Sequence, residues 1–440
     1  MSSAPSRAMR AEIIAVGSEM LTPLRVDTNS LFVTERLDEV GVQVRAKVVV
    51  GDRREDLAVV LRSALDRADV VVVIGGLGPT EDDVTRDVVA DVLGMPLEEH
   101  PDLIERIERR FRARGLEMPA INRRQAMVPR GAARLENPNG TAAGLWIERE
   151  GRYLVLLPGP PRELEPMFEA VVRDRLAPVT GAARTYRRVL KITGRSESHV
   201  DETAQPIYTK WAGVDPTLDT TILAVQGQIE LHLSILDTSR ERAEERLDRI
   251  AGELATALGP AVYSADGRGL EEVVGEMLRT RALRIAVAES CTGGLLASRL
   301  TDVAGSSDYL ERAVVCYSNR AKTDLLGVPE ALIREHGAVS APVAVAMATG
   351  IRDRAGVEIG VGITGIAGPA GGSDAKPVGT VMIAMAFAGG SLVGRHQFIG
   401  SRQLIKFQAA QAALDLVRRW MLEEQPDRLE TGGTRARPRG

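Results

Sequence analysis

"VVVIGGLGPTEDDVTRD", residues 71–87, runs from an unbroken β-branched stretch through a glycine-rich loop into an acidic segment. A strand apolar at every position is buried on both faces, as in a parallel sheet covered by helices. The flanking sequence agrees. "AEIIAVG" (11–17), "VQVRAKVVVG" (42–51) and "RYLVLLPG" (152–159) read as further strands. "DTNSLFVTERLDEVG" (27–41) and "REDLAVVLRSALDRA" (54–68) space their apolar residues three to four apart, as helices do. Residues 10–175 are therefore expected to form an α/β domain.

Beyond it the pattern changes twice. "GQIELHLSIL" (227–236) alternates strictly, with Ile229, Leu231, Leu233 and Ile235 on one face and Glu230, His232 and Ser234 on the other. That is a half-buried strand, and with the charged helix "SRERAEERLDRIAGELATALG" (239–259) it predicts a small α+β module over 176–262. Residues 267–424 return to α/β. There "LRIAVA", "ERAVVCYS", "EIGVGITG" and "GTVMIAMAF" are expected strands, and "GGLLASRLTD", "VAVAMATGIRDRA" and "RQLIKFQAAQAALDLVRRWM" expected helices. The polar stretch 425–440 is expected to be a disordered tail.

Composition narrows the function. A net charge of −4 and 3% aromatic residues disfavour a phosphate-neutralising surface or a base-stacking platform, so direct nucleic-acid binding is not expected. Two cysteines, Cys291 and Cys316, are too few for a disulfide framework or a cysteine metal cluster. The N-terminal residues do not read as a signal peptide, and no apolar run reaches the ~18 residues of a membrane helix. A soluble, cytoplasmic protein is expected.

The chemistry concentrates in two places. In "IAVAESCTGGLLASRL" (285–300), Glu289, Ser290, Cys291 and Thr292 lie between a strand and a helix expected to start around Gly294. Backbone N–H groups there suit an oxyanion or a phosphate; alternatively Ser290 or Thr292 simply caps the helix. A serine nucleophile needs a base. His336 and His396 are distant in sequence, but "VVCYSNRAKTDLLGV" (314–328) puts Lys322 in the first turns of a helix capped by Ser318, after a strand ending at Tyr317. Lysine can replace histidine as general base where burial or a nearby cation lowers its pKa. Tyr317 could relay the proton or hold Lys322. The alternative is an exposed lysine and a core-edge tyrosine. Cys291 is intrinsically the better nucleophile, but apolar flanks and the lack of a neighbouring imidazole favour Ser290. The turns of "GVGITGIAGPAGGSDAKPVGTV" (360–381) let backbone approach a ligand closely.

In the first domain, Thr80 and Asp83 fit a capping box, and Asp82, Asp83 and Asp87 would complement a helix N-terminus. The same glycine-rich turn with two adjacent carboxylates could equally hold a pyrophosphate and its divalent cation.

Taken together, "AESCTGG", "YSN" with a lysine five residues after the tyrosine, and "GITGIAGPAGG" followed by "KPVGTV" resemble the nicotinamide-nucleotide amidase domain of CinA (competence/damage-inducible) proteins. The resemblance implies a cofactor-independent hydrolysis of the carboxamide of nicotinamide mononucleotide (NMN). Ser290 would be the nucleophile, Tyr317 and Lys322 its activating partners, and Cys291, Thr292, Gly293, Thr364, Gly365 and Gly368 the substrate lining. Arg402 and Lys406 would also bind substrate. Ser401 and Lys406 depart from the family pattern, and a lysine keeps the charge of an arginine without its bidentate geometry.

"AVGSEML", "DTNS", "GGLGPTEDDVT", "NPNGTAAG" and "LPGPPREL" resemble the molybdopterin-binding-like N-terminal domain of the same proteins. That likeness implies an ADP-ribose pyrophosphatase using a divalent metal (Mg²⁺ or Co²⁺) and K⁺. Asp82 and Asp83 would hold the metal, and Glu19, Asp27, Asn29, Gly75, Gly76, Gly78 and Thr80 would bind the nucleotide. Met20 and Pro23 depart from the family's usual residues and spacing. The middle module resembles the family's KH-like linker, although "ITGRSE" (192–197) lacks the GXXG clamp that grips nucleotides. A bifunctional pyridine-nucleotide hydrolase, forming a homodimer, is the expectation. The alternative is a nucleotide-sensing or competence-related binding protein with one active domain.

Overall fold

The computed structural model describes residues 9–423. The expected tail, 425–440, and the first eight residues read above for a targeting signal lie outside them. The chain forms two compact units: one runs through Tyr186 and includes Ile235–Glu244, the other comprises Arg187–Ser234 and the chain from Glu245 onward.

The first unit opens with β1 (Arg10–Val16), α1 (Asn29–Glu39), β2 (Gln43–Val50), α2 (Arg54–Arg67), β3 (Val70–Ile74) and α3 (Thr85–Leu93). Next come β4 (Leu97–Glu99), α4 (Pro101–Arg112), β5 (Met127–Pro129), β6 (Ala133–Leu135), β7 (Gly144–Arg149), β8 (Arg152–Leu157) and α5 (Pro161–Val171). Its six-stranded sheet has the order β2-β1-β3-β8-β7-β6. β3 shows why its sequence is unbroken: Val71 and Val73 pack in one core with Leu57, Leu61 and Val88, while Val70, Val72 and Ile74 pack in the opposite core with Val33, Leu37 and Phe168. Strands β1, β2, β3 and β8 are parallel, but β7 and β6 continue the sheet antiparallel.

Directly after β3, Gly75 and Gly76 take φ of +99° and +66°. These are left-handed conformations that only glycine adopts without strain. A Cβ at Gly76 would also lie 2.3 Å from Thr85 Oγ1. That hydroxyl donates to the Gly75 carbonyl at 2.8 Å and fastens α3 to the loop. α3 begins at Thr85, so the acidic stretch 80–84 is a turn rather than the helix start expected from its capping pattern.

An α+β layer, most of whose residues belong to the second unit, comprises β9 (Arg184–Ile192), α6 (Glu197–Val214), β10 (Asp219–Val225), β11 (Gln228–Asp237), α7 (Arg240–Leu258) and β12 (Val262–Ser264). Its sheet order is β10-β11-β9-β12. In β11, Ile229, Leu231, Leu233 and Ile235 are all buried, as the alternation predicts.

The rest comprises α8 (Leu270–Thr280), β13 (Ile285–Glu289), α9 (Leu295–Thr301), β14 (Leu310–Val315), α10 (Asn319–Leu326), α11 (Glu330–His336), α12 (Ala341–Ala355), β15 (Ile359–Gly365), β16 (Thr380–Phe387), β17 (Gly390–Gln397) and α13 (Arg402–Glu423). The five-stranded sheet has the order β14-β13-β15-β16-β17. Helices α8, α9 and α13 cover one face, and α10, α11 and α12 the other. β13 pairs in parallel with β14 and β15, whereas β16 and β17 run antiparallel. β16 is buried on both faces yet antiparallel, so two-sided burial did not fix strand direction there. The chain leaves β13 for β14 on one side and returns as β15 on the other. Open α/β sheets bind ligands at such a switch point, outside the carboxyl ends of the strands.

Among the described residues no helix is long and apolar enough to cross a membrane.

Candidate active site

Ser290 follows the last residue of β13, and its N–H donates to the Ile363 carbonyl of β15 at 2.9 Å. It is buried at 7% exposure. Lys322, in the second turn of α10, is buried at 1% exposure. Its Nζ lies 3.1 Å from Ser290 Oγ, 3.0 Å from the Cys316 carbonyl and 3.3 Å from the Tyr317 carbonyl. No carboxylate is in salt-bridge contact with Lys322 among the described residues. Burial therefore holds its pKa below the ordinary lysine value. Ser318 caps α10 by accepting the Ala321 N–H, which fixes the helix that carries the lysine.

The alternatives left open by the sequence now separate. Lys322 is not an exposed helical lysine. Tyr317 holds it through the backbone carbonyl, while the Tyr317 ring is 62% exposed and its hydroxyl accepts from Arg402 Nη2 at 3.1 Å. β14 ends at Val315, two residues before the expected limit, leaving the Cys316 and Tyr317 carbonyls free to face Nζ.

Neither Ser290 nor Thr292 caps α9. Glu289 does: its buried carboxylate accepts the N–H groups of Gly294 at 3.0 Å, Leu296 at 3.1 Å and Ala297 at 2.8 Å. A negative charge already compensates that helix terminus, so it is not the open anion site the sequence suggested. Sequence reasoning placed Glu289 in the motif but gave it no role. The available signal was a carboxylate five residues before Gly294, on the last position of a buried strand.

The other expected lining residues are placed as follows. Lys406, half-buried on α13, lies over Gly293, where a Cβ would stand 3.5 Å from Nζ. Arg402 Nη1 donates to the Gly368 carbonyl at 2.7 Å, joining the 365–368 turn to α13. Thr364 is buried and its hydroxyl donates to the Ala338 carbonyl at 2.9 Å. The hydroxyl of the fully buried Thr292 has no hydrogen-bond partner. Gly365 ends β15, paired with Val381.

Cys291 stands beside Ser290, but burial pushes its thiol up to about 12, so almost no thiolate forms near neutral pH. Cys291→Ala is accordingly expected to leave catalysis at this site within about threefold of wild type, because a neutral buried thiol acts as a small apolar group. Iodoacetamide should not inactivate the wild type. Stoichiometric alkylation with loss of activity would overturn the assignment.

The first unit carries a separate cleft of about 380 Å³ at the ends of β1, β3 and β8. Glu19, Gly75, Gly76, Gly78, Asp82 and Asp83 line it, as do Asp52, Gln125 and Glu163, which the sequence reading did not single out. Asp27, Asn29 and Thr80 do not line it. Asp27 accepts the Ser30 N–H at 2.9 Å at the start of α1, and Asn29 Nδ2 donates to the Gly159 carbonyl at 2.7 Å. Thr80 donates its N–H (2.9 Å) and hydroxyl (2.6 Å) to Asp83 Oδ2, the reach-back expected of the box but closing a turn. Hydrogen bonding within this turn holds the Asp82 carboxyl below its ordinary range. Asp87 is taken up by Arg54 at 2.7 Å and Arg124 at 3.1 Å. Beneath the loop, buried Arg86 donates to the Leu77 carbonyl at 2.7 Å, and burial pushes it down to about 10.

No group of three His, Cys, Asp or Glu side chains able to hold a metal occurs among the described residues. The carboxylates that line the cleft therefore form no preassembled cage; Mg²⁺ is commonly held by one or two carboxylates together with substrate phosphates.

Residues 268–421 match the model of the CinA C-terminal domain, and residues 12–178 match a probable molybdopterin-binding domain. A CinA-like protein of Koribacter versatilis is 49% identical over 422 residues, covering 94% of this chain and 100% of that protein. One from Solibacter usitatus is 44% identical over 411 residues, covering 93% and 98%. Among solved structures, a competence-damaged protein (CinA) superfamily protein from Klebsiella pneumoniae is 36% identical, covering 35% of this chain and 96% of its own, with a TM-score of 0.34. With relatives matched end to end at this identity, the chain belongs to the CinA family.

Proposed function

We propose that the C-terminal site is a Ser–Lys amidase that hydrolyses the carboxamide of NMN, giving nicotinic acid mononucleotide and ammonia. The observation that carries this reading is the buried Lys322 Nζ, without a carboxylate partner, 3.1 Å from Ser290 Oγ. A neutral Lys322 takes the proton as Ser290 Oγ attacks the carboxamide carbon. The lysine then returns it to the departing nitrogen, the C–N bond breaks and ammonia leaves an ester on Ser290. Water, deprotonated by the same amine, attacks the ester carbon; the C–Oγ bond breaks and Ser290 regains the proton. Arg402 and Lys406 supply cations for the nucleotide phosphate.

The cleft of the first unit is proposed to hold the pyrophosphate of ADP-ribose against the Gly75–Gly78 loop, yielding AMP and ribose 5-phosphate. Asp82 and Asp83 would hold the divalent ion, which when bound polarises the pyrophosphate. Arg86 anchors the loop and Thr80 orients Asp83.

Ammonia release from NMN in EDTA, by wild type and Ser290→Ala, tests the first reading. Release that falls about 10³-fold or more in the variant is expected, because no acyl-enzyme can form. No release from folded wild type would overturn it. ADP-ribose cleavage that needs added Mg²⁺ and is lost in Asp83→Asn is expected for the second; equal cleavage in EDTA would remove the metal role.

A further inference from the structure

A second cavity of about 140 Å³ adjoins the cleft of the first unit, sharing Thr141 and Glu163 as lining. Its other walls are Arg110, Phe111, Arg114, Asn139, Gly140 and Arg162. Three arginines meet there, and none of them forms an ion pair with a carboxylate among the described residues. Arg110 Nη1 donates to the Pro138 carbonyl at 2.9 Å, leaving its other N–H groups available. Arg110 and Arg114 lie at and just beyond the last turn of α4, where cations complement the helix dipole. Arg162 has no such explanation. It sits in the first turn of α5, where a cation opposes the dipole.

The one acid in the cavity is already engaged. Glu163 Oε2 accepts Asn137 Nδ2 at 2.8 Å, and Asn137 Oδ1 accepts the N–H groups of Asn139 (3.0 Å) and Gly140 (2.7 Å). A Cβ at Gly140 would lie 1.7 Å from Glu163 Oε2, so the loop is closed tightly over that carboxylate. The surplus is positive charge with forked donors, the arrangement that recognises phosphate oxygens. The volume suits one phosphate group and excludes a nucleoside.

We propose that the Arg110–Arg114–Arg162 cavity is a phosphomonoester subsite of the first unit's cleft. Its ligand class is a pyrophosphate-linked nucleotide that carries a separate terminal phosphate, with the pyrophosphate at the glycine-rich loop and the phosphomonoester among the arginines. The inference rests on the nucleotide reading of that cleft and narrows its substrate.

Calorimetric titration in EDTA, where neither nucleotide is expected to be cleaved, using ADP-ribose, ADP-ribose 2′-phosphate and inorganic phosphate, tests it in wild type and an Arg114→Ala/Arg162→Ala variant. Both side chains are exposed, so the fold should survive, as an unchanged Tm would verify. The 2′-phosphate should bind wild type about tenfold more tightly than ADP-ribose, as expected for two partly exposed charge-assisted contacts. That advantage should vanish in the variant while ADP-ribose affinity stays put. Equal affinities in wild type would overturn the proposal. Inorganic phosphate binding lost in the variant, without discrimination between the nucleotides, would overturn it in favour of a free-phosphate site. Should neither nucleotide bind, the nucleotide reading of the cleft fails; phosphate binding confined to wild type would then still support an anion site, and its absence would overturn that too.

Discussion

Lys322→Met is expected to reduce ammonia release from NMN by about 10²–10⁴-fold, the range spanned by a lost general acid–base group, while raising the melting temperature. The two effects share one cause. An amine with no carboxylate partner is held in a nearly dry site, so its charged form is destabilised there and the neutral form that can accept a proton is favoured. Methionine fills similar volume without that cost. The sign of the pH dependence follows. With the folded pKa below the ordinary 10.5, the unfolded chain binds the extra proton between the two values, so wild-type stability rises with pH across that window. The advantage of Lys322→Met should be largest below the window and fade toward its upper limit. kcat/KM of wild type should fall as pH drops through the lowered pKa. Calorimetry across pH and ammonia assays check both. A variant that is inactive and less stable at every pH would mean that the lysine acts as a structural clamp.

Glu289→Ala is expected to be the most destabilising single change near the nucleophile, at roughly 2–4 kcal/mol. It removes the acceptor of three backbone N–H groups, that of Leu296 buried and those of Gly294 and Ala297 part-buried. Because the carboxylate fastens the turn that presents Ser290, activity should fall with stability. Glu289→Gln, which keeps one acceptor oxygen, should recover part of both. Thermal unfolding and ammonia release would show this; an unchanged Tm for the alanine variant would remove Glu289 from the support of the turn.

Much of this was legible beforehand, for identifiable reasons. β3 is short and wholly apolar, β13 is apolar up to its terminal Glu289, and paired glycines follow each within a few residues; such runs are decided by local burial. The lysine and serine were legible as residues, but 32 positions separate them, and only the β13–β14 pairing brings them together. Strand direction at β16, the late start of α3 and the early end of β14 depend on which neighbour a strand or turn meets. The sequence therefore gave no local sign of them. β17, "GSLVGRHQ", is not among the strands expected from the sequence, because it is a sheet edge with no fully buried residue. Arg86 was hidden for the opposite reason: a charged residue on an amphipathic segment reads as solvated, and only tertiary packing turns it inward beneath the loop.

The compensation of α9 by Glu289 also bears on how substrate affinity responds to ionic strength. With that dipole spent, the cations named for the nucleotide phosphate are the exposed Arg402 and half-buried Lys406, both within reach of the solvent's ions. At about 8 Å, the physiological Debye length is comparable to their reach, so mobile ions compete with substrate for them. If the site takes the nucleotide proposed for it, KM should rise with the ionic strength of the assay while the buried Ser290–Lys322 pair is left untouched.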